Sequence, residues 1–148
     1  MPPHHLEISK LMERANNKLL TKLAELSKCE GMINNLDEIN NEVVDCIDKV
    51  VETAAWIHHL ITYIHPFREG NGRTARLAVN LILERYGLVG ISVKIEKENK
   101  TQYCGALRQI DTVEDYQPLK DLIYEGLTER YAGVSMKYYA FKGKDKKF

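Results

Sequence analysis

Residues 65–76 read HPFREGNGRTAR and lie between two stretches whose apolar residues recur three and four apart. That recurrence is the period of a helix that buries one face. On one side, residues 42–64 predict a long helix that Pro66 stops, because the residue before a proline is forced out of helical geometry. On the other side, residues 74–86 predict a second apolar helix, and Gly87 suits its end. The sequence therefore predicts two buried helices joined by a charged loop that contains glycine.

The remaining segments show the same helical period. Residues 6–26, 97–110 and 118–131 each predict a helix, and residues 29–41, which are rich in asparagine, predict a polar connector. Residues 91–95 are a candidate for a short extended piece that is too isolated to make a sheet. We therefore expect an all-α fold, a single helical bundle built around the helix that follows the loop.

The composition fits one ordinary domain. The chain has 148 residues, of which 44% are apolar and 28% are charged, as in globular proteins. We expect one domain over residues 1–140 and a charged tail over residues 141–148 that frays. Lysine plus arginine and aspartate plus glutamate each number 21, so the overall charge predicts neither a nucleic-acid partner nor attraction to a membrane surface. Any phosphate must therefore be bound by a local site.

The number of cysteines and the length of the apolar runs indicate in which cellular compartment the protein is expected. Cys29, Cys46 and Cys104 form no CxxC pair, and this odd, small number predicts no disulfide framework and fits a reducing compartment. No run approaches the roughly 18 apolar residues of a membrane-spanning helix. The first residues lack the basic and apolar regions of a signal peptide. We therefore expect a cytoplasmic location and no membrane partner.

The loop carries the features of an anion site. Gly70, Asn71 and Gly72 come directly before a helix, where glycine allows close backbone approach and the free N–H groups attract a phosphate. Arg73 and Arg76 share a face of that helix at the end where the macrodipole disfavours cations. A bound polyphosphate would offset that cost. The alternatives are a plain capped turn and ion pairs between these arginines and nearby glutamates, Glu69 or Glu84.

A histidine and a carboxylate flank the same loop. Glu69 is suited to hold Mg²⁺, which takes one or two carboxylates together with phosphate oxygens and water. His65 is suited to accept a proton from an incoming hydroxyl at neutral pH. The alternative is a structural histidine, whereas a zinc site with His58 and His59 is disfavoured because these neighbours point to different parts of a helix surface. Together, a possible base, a metal carboxylate, a glycine loop before a helix and two arginines indicate phosphoryl-type transfer.

The stretch HPFREGNGRTAR resembles the signature of Fic domains, HxFx[D/E]GNGRxxR, at every fixed position. A chance match is on the order of one in 10^10 per start site if all residues are equally common. The resemblance extends to the helices on both sides and, more loosely, to EDYQPL at residues 114–119.

The resemblance implies a protein adenylyltransferase, which transfers AMP from ATP to a tyrosine, serine or threonine hydroxyl of a target protein. It implies that His65 is the general base and that Glu69 holds the Mg²⁺ that bridges the α- and β-phosphates. The phosphate contacts it implies are an anion hole of Gly70, Asn71 and Gly72, with Arg73 on the phosphates and Arg76 on the γ-phosphate.

The variable positions discriminate within the family. The branch that resembles Doc toxins and phosphorylates its target has a lysine at the position of Gly72, and the phosphocholine-transferring branch has an alanine at that of Gly70. Neither change is present, so the resemblance favours adenylylation. It also implies that Phe67 is an apolar anchor that buries the loop and fixes the histidine.

This sequence departs from the family pattern in two accessory elements. A β-hairpin flap, which holds the target by strand addition, usually precedes the core, so we expect it to be missing or supplied by sequence outside this chain. An inhibitory glutamate usually pairs with the last arginine of the motif. An upstream version would lie before Met1, and Glu125, within the segment 121–126, is a weak match to a C-terminal version.

Several functional alternatives therefore remain. The same site would also suit removal of AMP from a modified protein or another phosphoryl transfer. A third alternative is a nucleotide-binding module without its target-docking flap. The partner implied is a target protein, with an inhibitory partner or a second copy of the chain as further candidates.

Overall fold

The computed structural model describes residues 3–33, 40–93 and 97–131, and all regular structure in these residues is helical. Short 3-10 turns at His5–Glu7 and Ser27–Cys29 flank the first α-helix. The five α-helices are α1 (Ile8–Glu25), α2 (Asn41–Ile64), α3 (Asn71–Arg85), α4 (Lys97–Val113) and α5 (Gln117–Arg130). The expected all-α fold is confirmed, whereas the expected tail at residues 141–148 lies outside the described residues. No helix among the described residues combines the length and the apolar composition of a membrane crossing.

Helix α2 forms the centre of the core. It begins where the Asn40 side chain accepts a hydrogen bond from the N–H of Val43 at 3.0 Å, which satisfies one of the free donors of the first turn. Its predicted apolar stripe is buried or half-buried along its whole length. The most deeply buried members of that stripe are Val43, Ile47, Val50, Val51, Ala54 and Ile64.

Helix α3 packs mainly against α2 and ends in a Schellman motif. The N–H of Leu88 donates to the carbonyl of Leu83 at 2.9 Å, and the N–H of Gly87 donates to that of Glu84 at 3.2 Å. Gly87 has a φ of 97°, so glycine is needed to reverse the chain there. The helix buries one face only, because Leu77 and Leu81 are 60% and 61% exposed.

Residues 88–93 follow α3 without regular structure, and no strand forms in this described part of the expected extended piece. Asn80 of α3 fixes this segment with two hydrogen bonds to Ile91. Its Nδ2 donates to the Ile91 carbonyl at 3.0 Å, and its Oδ1 accepts from the Ile91 N–H at 2.8 Å. Asn80 thus supplies the backbone pairing that a neighbouring strand would otherwise give.

A polar cluster joins α5 to α2. Lys120 is only 8% exposed, and its Nζ lies 3.1 Å from Oδ1 of Asp48. The Tyr124 hydroxyl donates to the same carboxylate at 2.7 Å. A buried cation needs such a partner, so this cluster fixes the position of α5 along α2.

A disulfide joins Cys29 to Cys46, and their Cα atoms are 5.6 Å apart. The sequence predicts no disulfide framework and a reducing compartment, and it does not reveal this single bridge. The turn after α1 meets the second turn of α2, and this proximity is a property of the tertiary fold that spacing along the chain does not reveal. Both cysteines are buried, at 0% and 5% exposure, whereas Cys104 is free and exposed.

We expect the unfolded, unreduced protein to react with a thiol reagent at one cysteine, and the reduced protein at three. Reduction should lower the free energy of unfolding by about 3 kcal/mol, because the bridge closes a loop of intermediate length in the unfolded chain. Thiol titration in guanidinium and chemical denaturation with and without reductant measure both quantities. A Cys104→Ser variant is the control, and it should show no reactive thiol before reduction. Three reactive thiols in the unreduced wild type would contradict the bridge.

Candidate functional site

His65 ends α2 in a left-handed conformation, with φ 56° and ψ 55°. Its N–H still donates to the carbonyl of Ile61 at 3.0 Å, so the helix closes normally before the chain turns. The predicted break before Pro66 is thus confirmed. Few residues other than glycine adopt this conformation, and those that do cluster at functional sites. The turn leaves His65 exposed at the end of the helix.

The loop is fixed by Asn71, the first residue of α3. Its Oδ1 accepts from the N–H of Phe67 at 3.0 Å, and its Nδ2 donates to the carbonyl of Phe67 at 2.8 Å. The asparagine itself is only 5% exposed. Two hydrogen bonds from one buried side chain hold the middle of the loop against the start of the helix.

Phe67 differs from what the resemblance implied. Its side chain is 52% exposed, so it does not bury the loop in the described structure. The backbone of Phe67 is anchored instead, by Asn71. The prediction that Phe67 is an apolar anchor is wrong, because hydrogen bonds between the Asn71 side chain and the Phe67 backbone hold the loop instead.

The N-terminus of α3 is open toward the loop. Gly70 occupies the N-cap position with φ 81° and ψ 14° and has no side chain with which to cap the helix. Its carbonyl accepts from the N–H of Thr74 at 2.9 Å, which is the first hydrogen bond within the helix. The N–H groups of Asn71, Gly72 and Arg73 precede it and point out of the first turn, as in an anion site.

The two arginines fold back over this N-terminus. A Cβ atom placed on Gly70 would lie 3.2 Å from Nη2 of Arg73, and one placed on Gly72 would lie 3.2 Å from Nη1 of Arg76. The two glycines therefore make room for the guanidinium groups. Within the described residues neither arginine forms an ion pair, and Glu84 lies beside Gly90 instead. The alternative of ion pairing with nearby glutamates is not supported.

A buried polar pair joins α2 to α4. The hydroxyl of Tyr103 is 3.1 Å from Nε2 of His58, and the two rings meet edge to face. Burial raises the pKa of Tyr103, and the positive charge of Arg76 acts against that rise. Burial, then the charges of Arg76 and His59, lower the pKa of His58 to about 4. Sequence analysis did not connect either residue with the motif.

An open pocket of about 420 Å³ lies against the loop, a volume within the usual range for small-molecule sites. It is lined by Phe67, Glu69, Gly70, Arg73, Thr74 and Leu77. A larger groove of about 540 Å³ lies between the end of α1 and α2, and its lining contains no residue of the motif. The motif, not the size of the groove, identifies the candidate site.

Glu69 is exposed at the edge of this pocket. No group of three or more potential metal ligands occurs in the described part of the chain. His58 contacts Tyr103, and His59 pairs with Asp111 at 2.6 Å, so the two histidines diverge as expected. A single carboxylate beside an open helix N-terminus is a donor set that would suit Mg²⁺ bound with a phosphate, and not zinc.

Glu125 lies on α5, exposed, as an ordinary glutamate would be. It lines a small pocket with Ser92 and Asn99, and no residue of the motif contributes to that pocket. The guanidinium of Arg76 lies instead beside Gly72, in the first turn of α3. The described geometry thus gives no support to Glu125 as an inhibitory partner of Arg76.

We expect Asn71→Ala to lower the free energy of unfolding by about 1–3 kcal/mol, because it leaves both backbone groups of Phe67 without their partner. Amide hydrogen exchange at residues 65–70 should become faster. The matched control is Asn80→Ala, which removes the same pair of hydrogen bonds from Ile91. It should destabilise the protein to a similar extent while leaving exchange in the loop unchanged. Equal loop exchange in both variants would contradict the role of Asn71.

Comparison with known proteins agrees with this geometry. The profile of the Fic/DOC family matches residues 3–83, more than half of the chain and including the whole loop. The chain is similar to protein adenylyltransferase fic-1 of Caenorhabditis briggsae, with 32% identity over 108 residues, which is 71% of this chain and 20% of that protein. It is similar to protein adenylyltransferase fic-1 of Caenorhabditis elegans, with 34% identity over 102 residues, 67% of this chain and 19% of that protein.

A shorter and closer match is protein adenylyltransferase Fic of Nematostella vectensis. It is 48% identical over 46 residues, which cover 31% of this chain and 11% of that protein. The chain thus spans one fifth or less of the length of these three relatives. On the match over residues 3–83, the chain belongs to the Fic/DOC family.

Proposed function

We propose that this chain carries the catalytic centre of a protein adenylyltransferase, which transfers AMP from ATP to a hydroxyl side chain of a target protein. The observation that supports this most directly is the open N-terminus of α3, over which the guanidinium groups of Arg73 and Arg76 fold. The relatives named above carry the same activity in their names. Because the chain spans a small part of each relative, the activity of the whole protein belongs to the proposal.

In this proposal His65 is the general base. Its exposed position at the end of α2 allows a target hydroxyl to approach the imidazole from solvent. The imidazole takes the hydroxyl proton as the oxygen attacks the α-phosphorus. A bond forms between that oxygen and phosphorus, the bond from phosphorus to the bridging oxygen breaks, and pyrophosphate leaves with the electron pair.

In this proposal the N-terminus of α3 binds the negatively charged phosphates of ATP. Backbone N–H groups of Asn71 and Gly72 donate to phosphate oxygens, with the field of the helix dipole behind them. Arg73 and Arg76 supply charge-assisted, forked hydrogen bonds. Arg76, one turn further along the helix, is assigned to the γ-phosphate. The fixed loop holds these donors in place before the nucleotide arrives, which lowers the cost of ordering them.

Mg²⁺, when bound with ATP, would neutralise phosphate charge and favour departure of pyrophosphate. Glu69 is the residue of this chain that would hold it, because its carboxylate lies at the rim of the pocket that Gly70 and Arg73 line. Hard oxygen donors of this kind are those Mg²⁺ prefers.

The compartment is a separate part of the proposal. A cytoplasmic location was expected from an odd number of cysteines, but the Cys29–Cys46 disulfide removes that support, since such bridges are typical of oxidising compartments. The proposed transfer of AMP does not depend on the compartment. The transfer assay should be run with the Cys29–Cys46 bridge intact.

We expect a transfer assay with Mg²⁺ and candidate target proteins to incorporate label from ATP labelled at the α-phosphate, and none from ATP labelled at the γ-phosphate. His65→Ala should reduce incorporation about 10²- to 10⁴-fold, the usual contribution of a general base. His59→Ala is the matched control, because His59 lies on α2 and pairs with Asp111 away from the loop.

The other outcomes separate the alternatives. Label from the γ-phosphate would make the protein a kinase and contradict the proposal. Loss of AMP from a pre-modified target, without transfer from ATP, would assign the alternative in which the site removes AMP from a modified protein. ATP binding with no transfer to any target would favour the nucleotide-binding module.

We also expect Glu69→Ala to raise the Mg²⁺ concentration needed for half-maximal transfer roughly tenfold or more, because the metal loses its protein ligand. Glu84→Ala, which removes a carboxylate near the far end of α3, is the control, and its Mg²⁺ requirement should equal that of the wild type. A titration of activity against Mg²⁺ at fixed ATP measures the change. The same requirement in Glu69→Ala and wild type would exclude Glu69 as the ligand.

A further inference from the structure

The open pocket beside the motif borders only one of the two motif arginines. Gly70 and Arg73 line it, whereas Gly72 and Arg76 do not. The two guanidinium groups lie over different glycines, because Nη2 of Arg73 is close to Gly70 and Nη1 of Arg76 is close to Gly72. The pocket therefore opens beside Arg73 and not beside Arg76, which is assigned to the γ-phosphate.

The geometry of the proposed transfer restricts what enters this pocket. In a displacement at phosphorus, the attacking oxygen and the leaving oxygen lie roughly in line on opposite sides of the phosphorus atom. Pyrophosphate leaves on the side of its γ-phosphate, which is assigned to Arg76. The acceptor hydroxyl must then approach from a side that Arg76 does not occupy, and the pocket opens on such a side. The nucleoside lies along neither direction, because the ribose oxygen stays bonded to phosphorus throughout the displacement.

The lining of the pocket combines large apolar side chains with charged groups. Phe67 and Leu77 supply the apolar wall, and both side chains remain more than half exposed. Arg73 and Glu69 supply the charges. Exposed apolar side chains gathered around a concave surface are typical of a binding site. A pocket of this composition fits a ligand that has an apolar body and a polar end.

Among the three hydroxyl side chains of proteins, tyrosine has this composition. Its ring can cover Phe67 and Leu77 while its hydroxyl reaches the charged groups at the end of the side chain. In serine and threonine, only one carbon atom separates the hydroxyl from the main chain, so most of the apolar wall would stay in contact with water. The positive charge of Arg73 would also stabilise the negative charge that develops on a phenolic oxygen as its proton leaves.

We propose that this pocket is the acceptor site, and that Phe67 and Leu77 select a tyrosine of the target protein over serine and threonine. This inference rests on the proposed function and deepens it by naming the acceptor side chain. In the transfer, the phenol proton passes to His65 and the phenolic oxygen bonds to the α-phosphorus of ATP. The bond from that phosphorus to the bridging oxygen breaks, and pyrophosphate leaves with the electron pair.

The test measures AMP transfer from ATP with Mg²⁺ to N-acetyl-tyrosinamide, N-acetyl-serinamide and N-acetyl-threoninamide by mass spectrometry. We expect kcat/KM to be about tenfold higher or more for the tyrosine derivative. Leu77→Ala should reduce this preference roughly three- to tenfold, because apolar contact with the ring is lost. The matched control is Leu81→Ala, which removes a leucine of nearly equal exposure one turn further along α3 and outside the pocket. Equal transfer to the three acceptors, or an unchanged preference in Leu77→Ala, would overturn the proposal.

The modified residue decides the question if only whole target proteins receive AMP. Peptide mapping by mass spectrometry then identifies the side chain that carries the AMP group. We expect tyrosine, and AMP found on serine or threonine would overturn the proposal while leaving the proposed function intact.

Binding of a phenol separates this inference from the proposed function. If no acceptor of any kind receives AMP, the proposed function fails, and a ¹H–¹⁵N NMR titration with N-acetyl-tyrosinamide still tests the pocket. We expect saturable shifts of the backbone amides at residues 67–77, with weaker binding in Leu77→Ala and unchanged binding in Leu81→Ala. The absence of such shifts, or displacement of the compound by adenosine, would overturn the assignment of the pocket to tyrosine.

Discussion

The two hydrogen bonds from Asn71 to the backbone of Phe67 are the constraint on which the candidate site depends. They join the first residue of a helix to the middle of the loop before it. His65 lies at the start of that loop, and the uncapped amides lie at its end. The proposed base and the anion site therefore keep a fixed relation through one buried amide side chain. Burial strengthens this constraint, because water cannot replace a broken partner at low cost.

Helix α3 carries a second asparagine that forms the same pair of hydrogen bonds with a backbone segment outside the helix. Asn80 holds Ile91 with an equivalent pair of hydrogen bonds, so the segments before and after the helix are both tied to its side chains. Helix α3 packs in turn on α2, whose far end is bridged by the disulfide to the turn after α1. The loop is thus connected by hydrogen bonds and packing to the two helices at the centre of the core.

Much of this was predictable from the sequence, for physical reasons. The helices followed from apolar periodicity, the break at His65 followed from Pro66, and the end of α3 followed from Gly87, because each is a local property of the backbone. The open helix N-terminus followed from the glycines. The exposure of Phe67, the Cys29–Cys46 bridge and the contact of Tyr103 with His58 were not predictable. Each depends on which distant segments meet, and no local pattern encodes that.

The position of the disulfide has a consequence for how the chain responds to proteases. Cys29 lies four residues after the end of α1 and Cys46 lies within α2, so the bridge spans the connection between these helices from residue 29 onward. Cleavage anywhere between the two cysteines would leave α1 covalently attached to the core. The two fragments would separate on a denaturing gel only after reduction. Helix α1, in which Ala15 is the one fully buried residue, therefore remains covalently attached to the domain after a cut between the two cysteines.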